Sequence, residues 1–168
     1  TQGVMIQLFN HGVNIIGLWI IVEIIERRYG TRKISELGGL AQQAPVMAIF
    51  FVVIALANIA LPLTNGFAGE FLMFNGLLGA QSNYNVVFTL VAGMGIILAA
   101  VYTLNMIRKT FYGEAVSLKV PVTDLKLNER LALGLVVIII LWLGIFPQSL
   151  LDVTSSFAQE WFHKIDVS

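Results

Sequence analysis

The 168-residue sequence is 57% hydrophobic and only 12% charged, with a mean hydropathy of +0.83 and a formal net charge of zero. A soluble domain carries about a quarter charged residues, so a water-soluble globular protein is excluded. The neutral charge balance excludes a basic surface for nucleic acid, and the absence of cysteine excludes disulfides and thiolate metal sites. No metal site is predicted.

Long charge-free runs decide the class of protein. Asp, Glu, Lys and Arg are all absent from residues 3–22, 37–69, 71–107 and 131–151. A run of about 18 apolar residues can cross a bilayer as a helix, and the alternation of a membrane β-barrel is missing. The sequence therefore predicts an all-α, polytopic membrane protein with four transmembrane spans, one of them a broken, discontinuous helix. Its first residues already lie in an apolar segment, which predicts a piece of a longer protein.

The first span is predicted at about residues 3–25. It ends in ERRYGTRK, a basic loop broken by glycine. Pro45 then opens the next apolar run, at a first-turn position where the N–H that proline lacks would have no helical partner.

The second apolar segment, at about residues 45–80, contains LPLTNGFAGEF and cannot be one regular helix. The residue before a proline avoids the α conformation, so Leu61 is the predicted end of the first half. Thr64 or Asn65 can cap the helix that follows. The predicted break lies near residues 62–66 and contains Pro62, Asn65 and Gly66.

The remaining elements complete a single membrane domain over residues 1–168. Two more apolar runs predict spans at about 84–109 and 130–146. In the tail, apolar residues recur at helical spacing, which predicts an amphipathic interfacial helix at about 148–163.

Loop charge indicates how the broken segment is arranged. The loops at 26–44 and 108–130 are basic, whereas the turn at 81–85 has no basic residue. Because basic loops mark the cytoplasmic side, one broken span puts both basic loops inside and the neutral turn outside. A re-entrant hairpin would instead put the second basic loop outside, so we interpret the segment as one broken span.

Glu70 is the single charged residue between Leu37 and Ile107. About 18 Å of helix separates it from the turn near Ser82, which places it near mid-membrane. A membrane helix breaks only where protein or a water-filled cavity takes up the freed backbone groups. The low dielectric favours the neutral acid and the nearby helix N-terminus favours the anion, so this carboxyl could load and release a proton. The alternative is a neutral glutamic acid that only packs helices.

A stripe of small and polar residues runs along the first span, at Gly3, Gln7, Asn10, Asn14 and Gly17. In a membrane such a stripe faces other helices, and we interpret its amides as interhelical hydrogen-bonding groups. His11 lies beside the stripe. Histidine side chains can relay protons, so a proton relay and a structural role both stay open. Tyr102 in the third span is most simply a packing residue with a bonded hydroxyl.

Four stretches carry a family resemblance: HG in the first span, then ERRYGTRKISELGGLAQQAP, ALPLTNGFAGEF and VYTLNMIRKTFYGE. Together they resemble the C-terminal part of the antiporter-like subunits of NADH–quinone oxidoreductase (respiratory complex I). The resemblance covers nearly all of this chain, but only the last third of such a subunit. A glutamate at the break and a short C-terminal tail are similar to the M type (subunit 4 in mitochondria), whereas the L and N types carry lysine there.

The resemblance implies a proton channel with a hydrated axis at mid-membrane. Glu70 matches the glutamate that terminates this axis, and His11 matches a histidine on the preceding helix, which favours the relay role. Tyr102 matches a tyrosine near the exit route. The family often has glycine where this sequence has Leu63, which puts the local packing there in question. Buried lysines and a glutamate of earlier helices lie outside this chain, so it is not expected to pump alone.

The implied function is membership of the proton-translocating membrane arm, coupled to electron transfer from NADH to quinone. No redox chemistry and no cofactor are expected on this chain; NADH, flavin, iron–sulfur clusters and quinone belong to other subunits. Its implied partners are the L-type and N-type chains and the bilayer of a bacterial inner (plasma) membrane, rather than a mitochondrial one. The alternatives are a subunit of a multisubunit sodium/proton antiporter and a non-transporting membrane scaffold.

Overall fold

The computed structural model describes residues 2–114 and 123–155, and within those ranges every regular element is helical. A 3₁₀ turn at Ile34–Glu36 follows the first helix, and residues 148–155 continue as a helical segment after the last long one. The six helices are α1 (Gln2–Tyr29), α2 (Leu40–Gln43), α3 (Pro45–Asn58), α4 (Asn65–Leu78), α5 (Asn85–Phe111) and α6 (Leu127–Ile145).

Three of these helices, α1, α5 and α6, are long and apolar enough to cross a membrane, and α3 is a shorter apolar helix. This confirms the predicted class, an all-helical membrane protein. The far end of the predicted tail helix, including Phe157 and Trp161, lies outside the described residues.

Two long helices extend past their predicted ends because charged residues stabilise those ends. In the last turns of α1, Arg27 pairs with Glu23 one turn earlier at 2.6 Å, so the helix continues to Tyr29. At the start of α6, the Glu129 carboxylate accepts a hydrogen bond from the Lys126 backbone N–H at 2.7 Å. This is half of a capping box, and it starts the helix at Leu127.

The C-terminus of α1 and the N-termini of α3 and α6 lie near the basic loops, and residues 123–129 contact all three of these helix ends. Arg28 donates to the Thr123 carbonyl and pairs with Glu129; the arginine and glutamate side chains are only 12% and 15% exposed. Asp124 accepts hydrogen bonds from the N–H groups of Val46 (2.9 Å) and Met47 (3.2 Å). Asp124 therefore supplies the cap that Ala44 cannot give to α3, a contribution of about 1 kcal/mol.

Glu36 stabilises the loop after α1 by accepting hydrogen bonds from two of its residues. Its carboxylate accepts hydrogen bonds from the Thr31 hydroxyl at 2.5 Å and from the Lys33 ammonium at 3.0 Å. The Thr31 bond first, and the Lys33 bond second, hold the pKa of Glu36 below its ordinary value. The glutamate stays ionised and offsets part of the positive charge of this loop.

The apolar core lies towards this basic end, where α1, α3, α5 and α6 meet. Phe51 of α3 stacks on Phe111 of α5 with ring centroids 4.5 Å apart. Further fully buried side chains are Ile21, Leu40, Met47, Ile54, Leu133 and Ile140. By contrast, most of α5 is exposed among the described residues.

The small residues of α1 bring it close to α4 and then to α3. A Cβ on Gly3 would lie 2.9 Å from the backbone nitrogen of Met73, and one on Gly17 would lie 2.9 Å from Ile54. Between these points, Asn10 bonds to Asn65. As residue numbers rise along α1, the numbers of the residues that it contacts fall, first in α4 and then in α3. Both helices therefore run antiparallel to α1, and they lie one after the other along its length.

Candidate functional site

The helix before the break ends three residues earlier than the predicted end at Leu61, so that prediction was wrong. α3 ends at Asn58. The Ala60 N–H bonds the Ala57 carbonyl at 3.2 Å, and the Leu61 N–H bonds the Leu56 carbonyl at 3.1 Å. With Ala60 at a positive φ of 56°, this is a Schellman motif, which closes the helix ahead of the proline.

The restart of the helix uses both predicted capping residues, in different ways. Thr64 occupies the N-cap position, but its hydroxyl donates to the Leu61 carbonyl at 2.6 Å instead of accepting from α4. The Asn65 side-chain oxygen accepts from the Gly66 N–H at 2.9 Å. Pro62 lies inside the break, and its missing N–H leaves no gap in either helix.

Leu63 carries a second strained backbone angle, with φ at 74°. Left-handed conformations cost a non-glycine residue about 1–2 kcal/mol, and Leu63 is 68% exposed, so packing does not explain the leucine. Glycine would adopt this conformation without that cost.

We expect Leu63→Gly in the full-length protein to stabilise the break by about 1 kcal/mol, since relief of strain exceeds the added chain entropy. Hydrogen exchange at the amides of Leu61 and of residues 63–66 measures this directly. Leu61→Gly is the matched control, because Leu61 is also exposed but has no positive φ. It should lower protection, and equal losses in both variants would contradict the strain at Leu63.

Asn10 and Asn65 join α1 to the start of α4 by two reciprocal hydrogen bonds. The Asn10 amide nitrogen donates to the Asn65 backbone carbonyl at 2.7 Å. The Asn65 amide nitrogen donates to the Asn10 backbone carbonyl at 3.2 Å. Their side chains are 1% and 0% exposed, respectively. The sequence identified each residue separately, but it gave no signal that they pair across 55 positions.

Three glycines let backbones approach one another around the break. A Cβ on Gly66 would overlap the Ala57 carbonyl at the end of α3, and one on Gly69 would overlap Gln7 of α1. On α6, a Cβ on Gly144 would overlap the Leu63 carbonyl. The break therefore lies in close contact with α1 and α6, and the α4 N-terminus packs against the α3 C-terminus.

Glu70 lies in the second turn of α4 and is partly exposed. Within the part of the chain that the structure describes, its carboxyl group has no hydrogen bond or ion pair. The preceding residue, Gly69, faces Gln7 of α1, so Glu70 points away from the closest contact between α4 and α1. The carboxyl group is thus available to a proton donor or acceptor that is not one of these residues.

Buried oxygen atoms that can only accept hydrogen bonds lie on the helices beside the break. They have no partner among the described residues, and a buried acceptor without a partner costs about 1–3 kcal/mol. Two of their residues, Asn10 and Asn14, are one turn apart on the same face of α1. These atoms can receive a hydrogen from water or from a protonated group. They are Gln7 Oε1, Asn10 Oδ1, Asn14 Oδ1 and Asn58 Oδ1.

No hydrogen bond among the described residues joins Glu70 to the other two predicted proton-transfer residues. His11 lies on an exposed face of α1. Tyr102 is 60% exposed and lines a pocket of about 710 Å³ between α5 and the 3₁₀ turn, together with Asn105 and Lys109. Their roles stay predictions. Within the described ranges, no cluster of three or more His, Cys, Asp or Glu could hold a metal ion.

Comparison with known proteins decides the family. The family described as NADH:quinone oxidoreductase/Mrp antiporter, transmembrane, matches residues 1–106, from α1 into the last turns of α5. This chain belongs to that family. The family match includes the break, Glu70, His11 and Tyr102, and it confirms the resemblance found in the sequence.

Individual members of the family agree with this. NADH-quinone oxidoreductase subunit M of Rickettsia typhi is 37% identical over 90% of this chain and 30% of its own length. Subunit M of Escherichia coli K12 is 31% identical over 96% of this chain and 32% of its own. The chain thus spans about a third of the length of these relatives.

A solved structure of respiratory complex I from Thermus thermophilus with bound NADH contains a similar chain. The TM-score is 0.80 at 30% sequence identity, over 95% of this chain and 33% of that one. The fold described above is therefore a fold that occurs within a complex I.

Proposed function

We propose that this chain is the C-terminal part of an M-type subunit of NADH–quinone oxidoreductase and carries one end of its proton pathway. The names of the relatives support the assignment to subunit M. The observation that carries the role in proton transfer is the Glu70 carboxyl group. It is half-buried beside a helix break and unpaired among the described residues, in a helix without other charge.

The proposed membrane arrangement has four spans, in which α3 and α4 together form one discontinuous span. Each has 14 residues and is about 21 Å long, too short to cross a hydrocarbon core of about 30 Å. Laid one after the other along the 28 residues of α1, they match its length. The basic loops then lie on the cytoplasmic side, and the tail lies on the opposite side.

In this proposal the chemistry at the break is proton exchange by Glu70. The N–H groups at the start of α4 favour the carboxylate, and the carbonyl end of α3 favours a positive charge in the same gap. The buried acceptor oxygens of Gln7, Asn14 and Asn58 would orient the donors that bring a proton to this region. Each group acts by geometry and charge, and the pathway needs no redox chemistry from this chain.

His11 and Tyr102 are the proposed further proton-transfer residues. Both are exposed among the described residues, although both lie in helices that would cross the membrane. An ionisable side chain in a membrane faces protein or water and not lipid, so His11 would face another part of the longer protein. NADH, flavin, iron–sulfur clusters and quinone would act in other subunits. L-type and N-type chains in a bacterial inner membrane would be the neighbours.

The test uses the assembled complex that contains the full-length protein, reconstituted into liposomes. NADH oxidation with a quinone acceptor should acidify the vesicle interior in sodium-free buffer, and a protonophore should abolish the gradient. The family also includes antiporters, and a sodium/proton antiporter subunit would instead require sodium for proton movement. Acidification that needs added sodium, or a chain that does not purify with NADH–quinone activity, would contradict the proposal.

A further inference from the structure

We propose that Asn10 and Asn65 form a lock that sets the height and rotation of α4 against α1, and thereby positions Glu70. The two residues would be positioning residues and would not carry protons themselves. This inference rests on the proposed function, because it concerns the placement of the same carboxyl group.

The first argument is the reciprocity of the two bonds. Each side-chain amide donates to the backbone carbonyl of the other residue, at 2.7 and 3.2 Å. A bond to a backbone atom reports the position of the helix itself and not the rotamer of a side chain. Two such bonds in opposite directions fix the relative height of α1 and α4 at one level, and both are shielded from solvent.

The second argument is that Asn65 uses both ends of its amide. Its nitrogen donates to Asn10 while its oxygen accepts from the Gly66 N–H, so docking on α1 and the start of α4 depend on one side chain. Leucine could fill the same volume but could do neither. A buried amide is costly in a membrane unless it is bonded, which favours a specific positional role over simple packing.

The third argument concerns transmission to Glu70. It lies five residues after Asn65 in the same helix, an axial distance of about 7.5 Å. Gly69 is a second point at which α4 is held against α1, because it packs against Gln7 so closely that a Cβ would not fit. Two fixed points on one short helix leave no free rotation, so the direction of the Glu70 side chain follows from the lock.

The experiment compares Asn10→Leu, Asn65→Leu and the double variant in the full-length subunit within the assembled complex. The rate of NADH-driven proton movement and its pH profile are measured on equal amounts of assembled complex. Asn75→Leu is the matched control, because Asn75 is exposed on the same helix and its side chain has no hydrogen bond among the described residues.

Other titratable groups near α4 can also affect the pH profile. The relevant ones lie in the membrane-spanning parts of the helices that pack against α4. They are His11 on α1 and Tyr102 on α5, whereas α3 has none and α6 has none after Arg130. Because Asn65 bonds to Asn10, the neighbour of His11, the pH profile of a His11→Gln variant is needed to show which part of a shift belongs to the histidine.

We expect each single variant to lower the rate of proton movement severalfold and to shift its pH profile, because misplacing a reacting group by about 1 Å can slow a step up to about 100-fold. The double variant should match the single ones, since either change opens the same lock. Additive losses, or reduced assembly with an unchanged rate per assembled complex and an unchanged profile, would overturn the proposal. If neither variant assembles, Asn10→Ser and Asn65→Ser are read by the same criteria.

Failure of this inference can be told apart from failure of the proposed function. Should Glu70→Gln stop proton movement while the asparagine variants behave like Asn75→Leu, only the lock is wrong. Should Glu70→Gln leave proton movement intact, the role of the carboxyl group itself is wrong.

Discussion

Glu70→Gln in the full-length subunit should stop proton movement through this subunit while leaving the complex assembled. Glutamine keeps the size and polarity of the side chain but cannot release a proton at any working pH. Losing a group that transfers a proton slows that step by about 100- to 10,000-fold. Proton translocation coupled to NADH oxidation, measured in liposomes with a pH-sensitive dye, reports the loss.

The same substitution should leave stability nearly unchanged. The Glu70 carboxyl makes no hydrogen bond or ion pair within residues 2–114 and 123–155, so a neutral amide of the same shape breaks no contact seen there. Glu70→Asp retains an acid and should keep part of the activity. Glu23→Gln removes a carboxylate from an exposed ion pair and is the neutral control. Full proton movement in Glu70→Gln would contradict the assignment of Glu70.

Gly66→Ala should destabilise the protein where α3 and α4 meet. Its Cβ would overlap the Ala57 carbonyl, which is backbone and cannot rotate away. Overpacking of this kind costs about 1–3 kcal/mol, although alanine raises helix propensity by up to about 1 kcal/mol. To relieve the overlap, α4 must move away from the end of α3, which also strains the Asn10–Asn65 bonds.

Gly76→Ala is the matched control for this prediction. It lies on α4 as well, and nothing lies within 4 Å of the Cβ that it would gain. It should leave the thermal midpoint of the detergent-solubilised complex unchanged or raise it, whereas Gly66→Ala should lower it and reduce proton movement. Equal midpoints for the two variants would show that the contact between Gly66 and Ala57 is not close in the protein.

Much of the architecture was predictable from the sequence because membrane helices follow local rules. Charge-free runs identified the apolar helices, and the proline-containing motif lies between α3 and α4. The end of α3 was missed because the Schellman motif uses Ala60 in a conformation that sequence rules assign to glycine. Helix propensity does not reveal that an alanine will adopt it.

The contacts between helices at the candidate site could not be predicted from the sequence, for a different reason. The polar stripe on α1 predicted an interhelical face, but several partners were open to each of its amides. That Asn10 meets Asn65 depends on the antiparallel docking and register of two helices, which one sequence does not encode locally. The roles of Glu70, His11 and Tyr102 in proton transfer stay predictions.

The docking of α1 across the break has a mechanical consequence. A break alone would let α3 and α4 tilt independently, as two short rods joined by a flexible link. α1 is a continuous helix of 28 residues, and its first turns contact α4 while its later turns contact α3. It therefore limits bending between α3 and α4. Bending at the break would have to bend α1 too, so motion there should be a joint shift of three helices.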